Sequence, residues 1–129
     1  EKDKDAAWEM YIELLTRITT QSLEYGDEKS ALDSIYSLFP LTREIIKRHG
    51  RDCDEFTKIA IVILNQKIRP FTEKWHGESL NKAFEDEKKC KKFRKELKEL
   101  QHTLRIFTKM LGDMSGIEDD LTEINKGEV

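Results

Sequence analysis

Apolar residues recur at steps of three and four along most of this chain, which is the spacing of one face of an α-helix. The pattern is densest between Cys53 and His76, where Ile59–Leu64 form an uninterrupted apolar run. A short apolar run is also compatible with a buried β-strand. The helical spacing continues beyond the run, however, at Ile61, Leu64, Ile68, Phe71 and Trp75. We therefore predict a central helix over 53–76, buried on every side at its start and on one side at its end.

Local signals define the ends of this helix and an irregularity within it. Asp52 and Glu55 match an N-terminal cap, and Gly77 is of the residue type that most often ends helices. Pro70 lacks a backbone N–H, and its ring crowds the preceding turn. Because the apolar spacing continues through Pro70 to Trp75, we expect a kink at this proline and not an end of the helix.

The first predicted helix covers 5–25, with an apolar stripe at Trp8, Tyr11, Leu15, Ile18, Ser22 and Tyr25. Its polar segment Thr16–Ser22 is interpreted as a solvent-facing surface. The alternative is a buried polar seam beside Asn65 and Gln66, in which the side chains hydrogen-bond to one another.

The second predicted helix covers 27–49. Gly26 ends the first helix and Asp27 caps the second. Pro40 stands in the middle of this helix, where it removes a donor and disfavours helical geometry at the preceding residue. We expect a kink or a break there, with Pro40 opening a second piece that ends at Gly50.

The fourth predicted helix covers 79–112 and carries the most regular stripe, which is coiled-coil-like in its spacing: Cys90, Phe93, Leu97, Leu100, Leu104, Phe107, Leu111 and Met114. Ser115 and Glu118 match a capping box for a short helix over 116–125. Short connections favour antiparallel neighbours. The predicted fold class is therefore all-α: an antiparallel four-helix bundle with proline-kinked second and third helices and a short C-terminal fifth helix, in a single domain over 1–129.

The 129 residues are 38% charged and carry a net charge of −3. This near balance implies no global attraction to nucleic acid or to a membrane surface. The longest apolar run is far shorter than a membrane span, and the chain opens on charged residues without the apolar core of a signal peptide. We therefore expect a cytoplasmic protein. The chain begins with Glu1 and not with Met, which leaves open whether it is one domain of a longer protein.

Two cysteines, Cys53 and Cys90, do not make a disulfide framework. In an antiparallel hairpin that turns near Gly77 they lie roughly 18 Å apart along the axis at 1.5 Å per residue. A disulfide cannot span that distance. We expect two free thiols, as is usual in a reducing compartment.

A pair of Glu-x-x-His motifs, Glu73/His76 and Glu99/His102, has the spacing found in di-metal sites of helical bundles. In the predicted hairpin the two motifs are roughly 35 Å apart at 1.5 Å per residue, and neither lies on its apolar stripe. We therefore predict no metal site and no cofactor. His49 and His76 are interpreted as helix-end residues that interact with unpaired carbonyls, and His102 as a surface residue.

Catalytic signals are weak throughout the sequence. Cys53 lies near a helix N-terminus, which lowers thiol pKa values, but no histidine or second cysteine stands near it in the sequence. The chain has no phosphate-binding glycine loop and no Gly-x-Ser-x-Gly motif. We therefore expect no enzymatic activity and identify no small-molecule substrate.

One remaining feature is a cluster of basic residues in the fourth helix, where seven cations stand against one carboxylate, Glu96, over 88–98. The candidate binding residues are Lys88, Lys91, Lys92, Lys95 and Lys98. Such a face is commonly just solvated; it also fits an acidic protein surface or a phosphate backbone. We expect a non-enzymatic helical protein–protein interaction module, an adaptor or a self-associating subunit of a larger assembly. The alternative is a nucleic-acid-binding helical protein that uses this face.

Overall fold

The computed structural model describes residues 1–17, 27–117 and 121. Within these residues every regular element is a helix and none is a strand, so the predicted all-α class is confirmed. The α-helices are α1 (Lys2–Leu15), α2 (Glu28–Tyr36), α3 (Leu38–His49), α4 (Asp54–Val62), α5 (Arg69–Leu80) and α6 (Glu87–Ser115). Two 3₁₀ turns, Gly50–Asp52 and Ala83–Glu85, and one π-helix, Ile63–Ile68, connect them.

α1 places a different set of residues in the core from the one that the sequence predicts. Its buried side chains are Ala6, Ala7, Met10, Tyr11, Leu14 and Leu15. Trp8 is 49% exposed, so its assignment to the buried stripe is wrong. At about 100° per residue, Trp8 points roughly 100° away from the centre of the buried face of α1. Ala6, Ala7, Met10 and Leu14 belong to that buried face. The remainder of the predicted helix 5–25 lies on residues 18–26, outside the described part.

The predicted second helix is in two pieces. The division is at Ser37, so Pro40 falls in the first turn of α3 and does not open it. A proline fits the first turn because the N–H groups there have no partner within the helix. Asp27 caps α2 as predicted: its side chain accepts a hydrogen bond from the Ser30 N–H at 2.9 Å. Gly50, with φ of 74°, ends α3 as predicted.

The predicted third helix is continuous but changes type. α4 passes into the π-helix and then into α5 without a break. Pro70 is the second residue of α5, just beyond the π-helix, where a regular α-helix would press its ring against the Gln66 carbonyl. The wider turn of a π-helix relieves that crowding. The structure therefore shows a local widening of the helix at the position where the sequence predicts a kink.

Asp52 does not cap this helix, so that prediction is wrong. Asp52 belongs to the preceding 3₁₀ turn, and Cys53, which occupies the N-cap position, makes no side-chain capping bond. The cap comes from another helix: Asp3 of α1 accepts a hydrogen bond from the Phe56 N–H at 3.0 Å. This bond joins the start of α1 to the start of α4.

The chain does not turn at Gly77. α5 continues through this glycine to Leu80, because Gly77 keeps a negative φ and nothing forces it out of the helix. The turn comes later, at Lys82, whose φ of 63° is left-handed. The fourth helix therefore begins at Glu87 and not at 79, and Asp86 caps it by accepting from the Lys88 N–H at 3.0 Å.

The end of the fourth helix also differs from the prediction. α6 extends to Ser115, and Gly116, with φ of 79°, caps it. The Ser115 hydroxyl donates to the Gly112 carbonyl at 2.7 Å. Its predicted capping-box partner, Glu118, lies outside the described residues. Most of the predicted helix over 116–125 lies outside the described residues.

The run Ile59–Leu64 is not buried on every side. Ile61 and Val62 are 47% and 42% exposed, whereas Ile63 and Leu64 are buried. The later part of the predicted stripe is correct, since Leu64, Ile68, Phe71 and Trp75 are all buried. The most extensive helix pair is α1 with α6, and α1 also packs on α3 and α4. The core is therefore shared among these helices and does not have 53–76 as its centre.

The described residues favour the solvent-facing interpretation of Thr16–Ser22 over the alternative of a buried polar seam. Asn65 and Gln66 are both exposed, and so is Thr16, the first residue of the polar segment. Asn65 instead accepts a hydrogen bond from the Arg69 Nε at 3.1 Å along its own helix. The rest of the segment Thr16–Ser22 falls on undescribed residues, apart from Arg17, which donates to the Ser37 hydroxyl at 2.8 Å.

Candidate functional site

The five lysines predicted as a binding face lie on the outward side of α6. Lys88, Lys91, Lys92, Lys95 and Lys98 are all exposed. At about 100° per residue they share an arc of roughly 120°, opposite the buried Phe93 and Leu97. We call these five residues the basic face.

Other cations in the same turns of α6 lie at the edges of its buried side and pair with carboxylates. Lys89 donates to Glu78 of α5 at 2.8 Å, and Arg94 lies 3.5 Å from Glu28 of α2. The Lys89 hydrogen bond lowers the pKa of Glu78, and the same bond raises the pKa of Lys89. These two cations fasten α6 to its neighbours.

Few carboxylates lie close enough to the lysines of the basic face to neutralise their charge. Lys91 lies 4.0 Å from Glu87, and both side chains are largely exposed, so this contact is weak. Within the part of the chain that the structure describes, no carboxylate lies within 4.0 Å of the other four lysines. The basic face therefore presents positive charge to the solvent.

An open groove of about 560 Å³ runs beside the basic face, between α5 and α6. Four lysines line it, two from each side: Lys67, Lys74, Lys92 and Lys95. The other lining residues are Pro70, Phe71, Glu96, Glu99, Leu100 and Thr103. The groove thus combines an apolar lining with an excess of positive charge.

The wall of this groove is held in place by Glu96. Its carboxylate accepts hydrogen bonds from the Lys74 Nζ at 2.7 Å and from the Trp75 Nε1 at 3.1 Å. Trp75 is 1% exposed and packs edge-on against Phe93, with ring centroids 5.2 Å apart. Glu96 therefore has a structural role, which leaves Glu99 as the carboxylate of the groove without such bonds.

Apolar side chains continue the outward side of α6 beyond the groove. Ile106 and Met110 are 55% and 43% exposed. At about 100° per residue they lie in line with Lys88, Lys92 and Lys95. The sequence contained a signal for this feature: both residues are apolar and four apart, yet lie off the predicted stripe of Leu104, Phe107 and Leu111. The contribution of Lys67 and Lys74 had no such signal, since it depends on how two helices pair.

The three histidines are dispersed. His49 is the last residue of α3, as the helix-end interpretation predicts, and its Nε2 atom lies 2.9 Å from the Glu9 carboxylate. His76 lies within α5 and not at its end; its ring packs edge-on against Tyr36 at 5.9 Å. His102 is exposed, as predicted. Among the described residues, no three His, Cys, Asp or Glu side chains are grouped so as to hold a metal ion.

Both cysteines are free, as predicted, and both are buried. The Cys53 thiol donates to the Gly50 carbonyl at 3.1 Å, and the Cys90 thiol to the Phe84 carbonyl at 3.3 Å. Burial raises the pKa of Cys90, and the nearby Glu28 carboxylate raises it further. Cys90 is therefore held as a neutral thiol, the opposite of an activated nucleophile.

Within the described ranges, no helix is both long enough and apolar enough to cross a bilayer. Comparison of the chain with protein-family models, with curated proteins and with solved structures gives no match. The functional interpretation therefore depends on the surface chemistry alone.

Proposed function

We propose that this chain is a non-enzymatic helical protein–protein interaction module, acting as an adaptor or as a subunit of a larger assembly. Its basic face docks onto an acidic surface of a partner protein. The observation that supports this most is the contrast within α6: Lys89 and Arg94 have carboxylate partners, whereas Lys88, Lys92 and Lys95 have none in the described structure.

The physical role of such a face is attraction and selection of the partner. Exposed charges add little to stability singly, but a one-signed cluster raises association rates and disfavours like-charged surfaces. The total charge of the chain is −3, so the attraction for an acidic partner comes from the basic face and not from the protein as a whole. The interaction should therefore be specific in orientation and sensitive to salt.

The proposal includes an antiparallel four-helix scaffold in one domain, with α2–α3 and α4–α5 each acting as one helical unit. Two contacts support an antiparallel α1–α3 pair: Glu9 contacts Arg48, whereas Arg17 contacts Ser37. The α5–α6 pair is supported likewise, since Lys74 meets Glu96 and Glu78 meets Lys89. The free thiols fit the proposed cytoplasmic location.

Chemical-shift mapping by NMR tests the proposal. The ¹⁵N-labelled chain is titrated with an acidic helical peptide at low and at physiological salt. We expect the largest amide shifts over 88–98, weaker at the higher salt. Shifts that avoid α6, or no shifts at low salt, would contradict the proposal.

The same unpaired lysines favour nucleic-acid binding as a second candidate. Lys88, Lys92 and Lys95 follow one line along the helix, as contacts to successive phosphates require. Glu99 lies on that line as well and opposes it. A parallel titration with a DNA duplex and a single-stranded RNA decides between the two: nucleic-acid binding with a steep salt dependence, and no response to the peptide, would replace the first proposal by the second.

A further inference from the structure

We infer that the groove between α5 and α6 binds an amphipathic helix of a partner protein, one half of which is acidic and the other apolar. The acidic half lies between the lysines of the groove, and the apolar half covers Ile106 and Met110, which we call the apolar end. This inference depends on the proposed function and adds the chemistry and the shape of the partner.

Charge complementarity indicates an acidic occupant. Lys67 and Lys74 line one side of the groove and Lys92 and Lys95 the other. Lys74 and Glu96 are bonded to each other, which leaves three lysines, Lys67, Lys92 and Lys95, against one carboxylate, Glu99. A partner with carboxylates along its length would meet lysines on both sides, and the rest of the basic face would add to the attraction.

The helix register extends this groove toward the apolar end. The Lys74–Glu96 bond fixes the level of the two antiparallel helices. Each residue earlier in the third helix then faces one later in α6, which brings Lys67 level with Thr103, about one helical turn before Ile106. The groove lining agrees with this register, since Lys67 and Thr103 both contribute to it.

Exposed apolar residues lie on the outward side of α6 just beyond the groove. The large apolar side chains that are exposed in the described residues are Trp8, Ile61, Val62, Leu80, Ile106 and Met110. Single exposed apolar residues need no explanation, but neighbours on one side of a helix at the end of a charged groove mark a docking surface. Ile106 and Met110 are such neighbours, because residues four apart lie next to each other on a helix.

The dimensions fit a helix and not an extended strand. From Lys92 to Met110 the surface spans about 27 Å at 1.5 Å per residue, the length of a helix of about 18 residues. Helices that lie in grooves anchor through side chains at steps of three, four and seven. Both walls of this groove are helical, so their backbone groups are already paired and offer no edge for an added strand.

The test uses fluorescence anisotropy with a labelled peptide of about 18 residues. One half carries glutamates and the other carries leucines at helical spacing; both orders of the halves are made, together with a scrambled control. The Lys92→Glu/Lys95→Glu variant removes the charge complementarity, and the Ile106→Gln/Met110→Gln variant removes the apolar end. Lys109→Glu and Leu80→Gln are matched controls, because both residues are exposed and lie outside the groove lining.

Each double variant should weaken binding of at least one peptide by about tenfold or more, and the controls should bind as the wild type does. Circular dichroism checks that all variants keep their helix content, as expected for exposed positions. Loss of binding in the lysine variant alone would overturn the groove inference and leave the proposed function standing. Unchanged binding in both variants would overturn both. Sedimentation that shows a dimer, made monomeric by Ile106→Gln/Met110→Gln, would assign the apolar end to a second copy and overturn the inference.

Discussion

The inward and outward sides of α6 carry the same types of residue in different circumstances. On the inward side, Lys89 and Arg94 meet carboxylates of α5 and α2 and flank the buried Phe93. On the outward side, Lys92 and Lys95 meet water. The cations of this helix therefore divide into those that fasten α6 to its neighbours and those that remain exposed, to which we assign the partner. Mutations on the inward side should therefore lower the free energy of unfolding, whereas mutations on the outward side should leave it nearly unchanged and weaken binding of the partner.

The largest loss of stability is expected on substitution of Phe93. Its ring contacts Phe71, Trp75 and Phe84 with centroids 5.5, 5.2 and 4.9 Å away, and it is fully buried. Phe93→Ala removes these contacts and leaves a cavity, so it should lower the free energy of unfolding by about 3–5 kcal/mol. Urea denaturation followed by circular dichroism measures it. Lys92→Ala, one residue earlier, is the control and should change it by less than about 0.5 kcal/mol.

A smaller loss is expected at Arg94. Glu28 is 8% exposed, and its Oε2 atom has no hydrogen-bond partner among the described residues. Arg94→Ala leaves this carboxylate without its counter-charge, and unfolding free energy should fall by about 2 kcal/mol. The double variant Glu28→Gln/Arg94→Ala should recover part of that loss. An Arg94→Ala protein as stable as the wild type would show that this edge cation does not fasten the helix.

The pair Glu78–Lys89 gives an effect that depends on pH. The hydrogen bond from Lys89 lowers the pKa of Glu78, so the stabilisation is present above the unfolded-state pKa and is lost as pH falls through the lower folded-state pKa. Glu78→Gln should therefore have a lower urea midpoint than the wild type at pH 7. The gap should close as the pH falls below about 4. Glu85→Gln is the exposed control; a gap for Glu78→Gln that widens in acid would contradict the assignment.

The smallest effect on stability is expected on the outward side. Lys91 and Glu87 are 4.0 Å apart on successive turns and both side chains are mostly exposed. Lys91→Ala should change the free energy of unfolding by less than about 0.5 kcal/mol, because exposed pairs at this spacing contribute little. Thermal unfolding in low and high salt measures the change. A loss as large as that at Arg94 would remove the distinction between the two sides.

The buried side of α6 was predictable from sequence because a single long helix keeps one period. Cys90, Phe93, Leu97, Leu100, Leu104 and Leu111 are buried as the three- and four-residue steps predict. The third helix was less predictable. Its π-helical turn changes the rotation per residue, so extending the stripe of Leu64 and Ile68 backwards assigns Ile61 to the wrong face.

The positions of turns and caps were also difficult to predict from the sequence. Gly77 permits a turn without requiring one, and the chain turns at Lys82 instead. The cap of α4 comes from Asp3, a residue far away in the sequence. The lysines of the basic face were predictable because they lie on one helix. The groove was not, because Lys67 and Lys92 come together only through the pairing of α5 with α6.

The separation of fold and binding on α6 is tested most directly by two measurements on one protein, the Lys92→Glu/Lys95→Glu variant. Its urea midpoint and its affinity for the acidic helical peptide are compared with those of the wild type in the same buffer. We predict an unchanged midpoint and an affinity weakened by about tenfold or more. A lowered midpoint together with an unchanged affinity would show that these lysines hold the fold and do not meet a partner.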